Sequence, residues 1–181
     1  MEDEIFMPGR SQLQDSVAEH KAKSGITAGV AVITLSDSRS LETDKSGDLI
    51  QNLLEGKGHR VIVRKLIPDN RTVLRATLRA LQRDKNIHAI ITTGGTGLAP
   101  RDITIEAVQG MLDKELPGFN SLFMLLSYSE IKSAAMLSRA LAGTIKGKIL
   151  FCIPGSPKAC KLALESLILP ELGHILMLLR S

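Results

Sequence analysis

Three short stretches carry residues that could do chemistry: Ser36-Asp37-Ser38-Arg39, Thr93-Gly94-Gly95-Thr96-Gly97 and Pro154-Gly155-Ser156-Pro157. The middle one follows an apolar run from Ile87 to Thr93 that contains three isoleucines and reads as a buried strand. Residues without a Cβ take up positive φ and let a ligand approach the backbone, whose N–H groups can then face an anion. Arg101 and Asp102 follow, and Thr104 is expected to cap a helix entered at Ile105. Strand, glycine loop, charged pair and helix N-terminus are the order of a phosphate or nucleotide site at the carboxyl end of a strand. A tight turn with a solvated Arg101–Asp102 ion pair is the plainer reading of the same residues.

The elements that must hold these stretches follow from the pattern of apolar residues. Ile26 to Leu35 reads as a central strand, and Arg60 to Ile67 as a strand nearer the sheet edge because it carries Arg64 and Lys65. Between them, Leu49, Ile50, Leu53 and Leu54 mark a helix that starts near Asp44 or Ser46 and stops at Gly56 or Gly58. A further helix over 71–84 places Leu74, Leu78 and Leu81 on one side. On another side it carries Arg71, Arg75, Arg79 and Arg83, a spacing expected of a solvated face. Asp69, just upstream, is a candidate cap for that helix.

Glu115 to Phe119 reads as a turn into a helix over 120–127, and Ser129 as the cap of a short piece reaching Leu137. Strands over 138–144 and 148–153 around Lys146-Gly147 form a hairpin. Ser156 and Pro157 suit the N-cap and first position of a helix, with Pro170 interrupting it before a final helix over 172–179. The expected fold is α/β: a three-layer open, mostly parallel twisted sheet with one antiparallel strand. Residues 1–24 are expected to form an arm, and 25–181 a single domain.

Composition narrows the function. Of the 181 residues, 44% are hydrophobic and 23% charged; tryptophan is absent, tyrosine occurs once and phenylalanine four times, so the core must be aliphatic, and so few aromatics argue against a stacking platform for single strands. A net charge of +4 is compatible with anionic small molecules and too small to argue for nucleic acid. Cys152 and Cys160 lie in apolar patterns without zinc spacing, and His20, His59, His88 and His174 are scattered. The acidic Met-Glu-Asp-Glu start lacks the regions of a signal peptide, and no uncharged run reaches transmembrane length. A cytoplasmic protein with no membrane partner is expected. Walker-type, G-x-G-x-x-G, G-x-S-x-G and H-E-x-x-H motifs are all missing. The three loops can converge on one crevice, where Asp69 and Asp102 would best serve by holding Mg²⁺ near phosphates. The residues by themselves point to a phosphorylated small molecule or a nucleotide.

TTGGTG at 92–97 followed by Arg101-Asp102 and Thr104 resembles the molybdopterin-binding proteins of molybdenum cofactor synthesis, the MoaB and MogA type. The likeness runs from Thr27 to Leu172 and includes Ser36-Asp37, Asp44-Lys45-Ser46-Gly47, Ile67-Pro68-Asp69, Leu116 to Phe119, Ser138-Arg139 and Pro154-Gly155-Ser156. The DKSG, LSYSEI and PGSPKAC segments look more like MoaB.

The resemblance implies a molybdopterin adenylyltransferase that moves AMP from Mg·ATP to the terminal phosphate of molybdopterin. The alternative is a non-catalytic molybdopterin carrier. It implies catalytic roles for Asp69, Asp102 and Arg101, with Mg²⁺ at Asp102 and Asp69. Ligand binding falls to Ser36, Asp37, Ser46, Thr93, Gly94, Gly95, Thr96, Gly97, Gly155, Ser156 and Pro157. It also implies a homo-oligomer, trimer or hexamer, and a downstream molybdate-insertion protein as a partner. Ile105 departs from the family's frequent proline there, which alters helix entry rather than chemistry. Arg101-Asp102, lost in some MoaB-type members, is intact and favours the enzyme.

Overall fold

The computed structural model describes residues 26–181; the expected N-terminal arm lies outside the described residues. The elements are β1 (Gly29–Leu35), α1 (Lys45–Gly56), β2 (Arg60–Ile67), α2 (Arg71–Arg83), β3 (Ala89–Thr93) and α3 (Thr104–Val108). They continue with β4 (Lys114–Glu115), α4 (Pro117–Ile131), β5 (Leu141–Ile145), β6 (Lys148–Ile153), α5 (Pro157–Ala163) and α6 (Leu169–Leu178). The strands form one sheet in the order β2-β1-β3-β6-β5-β4. β2, β1, β3 and β6 are parallel, and β5 alone runs against them, because β4 is antiparallel to β5 in turn.

Strand β1 is buried along its whole length, so successive residues feed opposite cores. Val30 and Val32 join the layer under α1, α4, α5 and α6, together with Ile50, Leu54, Phe119 and Leu172. Ala31 and Ile33 join the layer under α2 and α3, with Leu74, Leu78 and Val108. β2 is the edge strand that its charges suggest. Arg64 on it turns back onto α1, bonding Asp48 and, at 3.3 Å, Asp44.

Caps explain the helix starts. Asp44 is fully buried and accepts the Gly47 amide at 3.0 Å and the Thr34 hydroxyl at 2.6 Å. Asn70 caps α2, accepting from Thr72 and Val73. Asp69 is therefore not the cap, which frees its carboxylate. Ser156 caps α5 with Pro157 at its start, the arrangement expected from the sequence.

Three expectations are corrected. Residues 115–119 are not a turn: Lys114–Glu115 adds a sixth strand, and Pro117 opens one helix reaching Ile131. Ser129 sits inside that helix and caps nothing; the break comes at Lys132, at φ 54°, before a 3₁₀ segment over 132–137. The last helical run is not interrupted at Pro170: a π-type turn over 164–168 leads directly into α6, so the chain stays helical through the proline.

Candidate functional site

The chain leaves β1 for β2 on one side and reaches β3 on the other, so the sheet reverses its direction of growth between β1 and β3. Crevices outside the carboxyl ends of strands at such a point are where open α/β sheets bind ligands. A cleft of about 410 Å³ lies there, lined by Ser36, Asp37, Ser38 and Arg39 after β1, Gly94 to Gly97 after β3, and Pro154 to Ser156 after β6. Leu35, Asp69, Arg101, Asp102, Leu137 and Ser138 complete it.

The loops approach closely because glycine removes the obstacle. Gly94 has φ 100°, and a Cβ there would stand 2.4 Å from the Leu35 carbonyl oxygen. A Cβ on Gly155 would in turn touch the Gly94 backbone at 3.1 Å. Arg39 ties the first loop to the third through the Gly155 carbonyl at 3.3 Å.

Carbonyl and amide sides of the glycine loop are treated differently. Gly94 carbonyl accepts from the Thr104 hydroxyl at 2.8 Å, and Gly95 carbonyl from the Thr104 amide at 2.9 Å. The amides of Gly95, Thr96, Gly97 and Leu98 donate to no acceptor among the described residues. Thr104, expected as an N-cap, is instead the first helical residue, fully buried, with its hydroxyl spent on holding the loop.

The carboxylates stand close against the glycine loop: a Cβ on Gly95 would come 3.2 Å from Asp69 Oδ1, and one on Gly97 2.7 Å from Asp102 Oδ2. Asp69 donates its amide to Asp37 at 3.1 Å, while its buried Oδ1 accepts no hydrogen bond from the described residues. Burial, and then the neighbouring Asp37, push the Asp69 carboxyl above its ordinary range, with Asp102 adding to the rise and Arg101 opposing it. Asp102 accepts the Ala99 amide at 2.8 Å and returns its own amide to the Ala99 carbonyl. That exchange fixes the turn after the glycine loop. Arg101 is exposed and makes no ion pair among the described residues, so the solvated Arg101–Asp102 pair does not form.

The structure thus brings together Ser36, Asp37, Asp69, Gly94, Gly95, Thr96, Gly97, Arg101, Asp102, Gly155 and Ser156. It places three other expected residues behind the cleft wall. Ser46 is buried and donates to the Gly155 carbonyl at 2.8 Å; Thr93 is buried and donates to the Pro154 carbonyl at 3.0 Å. Both shape the third loop, and Pro157 starts α5 outside the lining. The candidate site set read from the sequence omitted Arg39, Ser38 and Ser138, which line the cleft, and Arg139, whose guanidinium bonds the Thr96 and Gly97 carbonyls. Arg39 was legible as the end of its loop; nothing in the spacing tied Arg139 to residues more than forty positions upstream.

Both cysteines are buried, and desolvation pushes the Cys152 thiol up to about 12, so neither is a nucleophile. His88 serves the backbone, its Nδ1 accepting the Gly29 amide at 2.9 Å.

Residues 31–174 match the family model described as "probable molybdopterin binding domain". The chain belongs to the molybdopterin-binding family. It is 46% identical over 161 residues to molybdenum cofactor biosynthesis protein B of Bacillus cereus, covering 88% of this chain and 95% of that protein. A crystal structure of a molybdenum cofactor biosynthesis protein B superposes with a TM-score of 0.84 at 45% identity, covering 86% of this chain and 97% of that one. The tungsten cofactor synthesizing protein MoaB from Pyrococcus furiosus gives 0.76 at 39% identity, over 86% and 98%. The family's fold and the MoaB type are those expected from the motifs, and the chain's role lies in molybdenum cofactor biosynthesis. No helix among the described residues is long and apolar enough to cross a membrane.

Proposed function

We propose that the cleft binds molybdopterin and Mg·ATP and transfers AMP to the terminal phosphate of molybdopterin. The observation that carries this reading is the run of unpaired loop amides from Gly95 to Leu98, the first three of whose residues line one cleft together with the acids Asp69 and Asp102. Amides in that arrangement hold phosphate oxygens, and Arg101 at the rim can neutralise charge on the transferring group. An oxygen of the molybdopterin phosphate would form a bond to the α-phosphorus of ATP as the bond to the β-phosphate oxygen breaks, releasing pyrophosphate. The attacking phosphate is already ionised, so no general base is needed. Positioning and electrostatics supply the acceleration.

The carboxylates fit a magnesium ion carried in by the nucleotide. No cluster of three acidic, histidine or cysteine side chains among the described residues would hold a metal alone. Mg²⁺ commonly keeps waters and takes one or two carboxylates plus substrate phosphates, and the unused Asp69 Oδ1 and Asp102 are suited to that. When bound, it would offset the charge that develops in transfer.

The experiment is pyrophosphate release by the purified protein given molybdopterin and Mg·ATP, beside Asp102→Asn. Release by the wild type, with a drop of at least about a hundredfold in the variant and molybdopterin binding retained, is expected. No release from either protein, with molybdopterin still bound, would instead make the chain a carrier.

A further inference from the structure

We propose that Arg139, outside the cleft, is the positioning residue that aims half of the phosphate-binding amides; the inference rests on the anion-binding part of the reading above. Arg139 lies just before β5 and reaches the far side of the glycine loop. Its Nε donates to the Thr96 carbonyl at 2.8 Å and one terminal nitrogen to the Gly97 carbonyl at 2.7 Å. Another terminal nitrogen is paired with Glu106 on α3.

In a trans peptide, the carbonyl of one residue and the N–H of the next point in opposite directions. All described peptides are trans. Holding the Thr96 and Gly97 carbonyls from behind therefore turns the Gly97 and Leu98 amides forward, away from Arg139. Thr104 does the same for the Gly95 and Thr96 amides by taking the Gly94 and Gly95 carbonyls. Two anchors, each holding two consecutive carbonyls, account for the whole run of outward amides. A glycine-rich loop is intrinsically free to flip these peptides, so an external clamp is needed to pre-aim them.

The guanidinium is suited to the task because its donors form a rigid fork. Two carbonyls and a carboxylate are served at once, which a lysine ammonium on a flexible stem cannot reproduce. Glu106, the third residue of the short helix α3, fixes the fork's other edge. Arg139 also lowers the Glu106 carboxyl below its usual range, so the pair remains charged at neutral pH.

The test uses Mg·ATP titration by calorimetry and amide chemical shifts of the full-length chain, wild type and Arg139→Ala. The variant is expected to bind about tenfold more weakly, a loss of the order of one charge-assisted hydrogen bond. Its Gly97 and Leu98 amides should no longer shift on adding nucleotide, whereas those of Gly95 and Thr96, held by Thr104, still do. A general structural role would move all four or none. Arg139→Lys should remain at least about fivefold weak, because charge without the fork does not hold two carbonyls. Should Arg139→Ala not fold, Arg139→Lys and the milder Glu106→Gln, expected to weaken binding about twofold, carry the same test. Wild-type affinity in Arg139→Ala, full restoration by lysine, or a wild type that binds no nucleotide would each overturn the proposal. Nucleotide binding without pyrophosphate release would sink the transfer reaction and leave Arg139's role standing.

Discussion

Asp69 donates its backbone N–H to the Asp37 carboxylate at 3.1 Å, and this contact sets two acids side by side in the lining of the cleft. It also leaves Asp69 Oδ1 buried with nothing to accept from among the described residues. A half-buried acid with one oxygen unpartnered, set beside another acid, is a cost that the free protein carries. The Asp69 carboxyl, raised by burial first and by Asp37 second, records that cost.

The sign of its pH effect follows. A carboxyl whose folded-state value is raised holds its proton more tightly in the native state. Its contribution therefore favours folding at low pH and is lost as pH rises from the ordinary carboxylate value through the raised one. Asp69→Asn should be more stable than the wild type above that window, by about 2 °C in Tm at pH 7.5. The same variant should lose pyrophosphate release, and the wild-type rate should rise as Asp69 ionises. Thermal melts and a pH–rate profile check this; a variant less stable than wild type at pH 7.5 would refute the strain account.

Asp44 is a contrasting acid, fully buried but fully used. It caps α1, takes the Thr34 hydroxyl and meets Arg64. Asp44→Ala should cost about 2–4 kcal/mol in urea denaturation, through the lost cap, the stranded Thr34 hydroxyl and the loss of one of the two carboxylates that hold Arg64. Asp44→Asn, which keeps an acceptor, should cost about half as much.

Two glycines of the chain differ sharply in what surrounds them. Gly94→Ala must place a Cβ 2.4 Å from the Leu35 carbonyl oxygen at φ 100°, so it should destabilise by about 2–4 kcal/mol and distort the cleft. Gly110→Ala meets nothing within 4 Å and should be neutral or stabilising by up to about 1 kcal/mol. Denaturant midpoints of the two variants give the comparison.

Two histidines serve the start of β1 in neutral form. His59 Nδ1 accepts the Ala28 amide at 3.2 Å and His88 Nδ1 the Gly29 amide at 2.9 Å. Burial lowers both imidazoles below the ordinary value, and Arg180, Lys148 and Arg60 lower His88 further. The unfolded chain then protonates first, so stability should fall as pH drops through the ordinary histidine value toward the lowered ones. Urea midpoints at pH 7.5 and 5.5 should differ less in His88→Gln, whose amide oxygen can accept from Gly29 without titrating.

Much of this molecule was legible along the chain. Apolar runs marked β1, β3 and β6, Leu74, Leu78 and Leu81 marked the buried side of α2, and Ser156-Pro157 marked the start of α5. TTGGTG and Arg-Asp marked the loop that lines the cleft. These signals are local: periodicity, capping and a missing Cβ act within a few residues. Local signals also failed in recognisable ways. Lys114–Glu115 is too short and polar to read as a strand, and is one only because β5 offers it an edge. Thr104 has the chemistry of a cap, yet the nearby Gly94 carbonyl takes its hydroxyl.

What tertiary structure alone decided is which carbonyls of each loop are held and which amides are left unpaired. Ser46, Thr93 and Arg139 sit in or beside motif segments, but their donors go to backbone carbonyls of Gly155, Pro154, Thr96 and Gly97. Those bonds join residues far apart in sequence, and no spacing rule announces them. The sequence determined by itself that glycine loops would end these strands, because that depends on residue type. The direction in which their amides point depends on who holds the carbonyls, and that is settled only when the chain has folded.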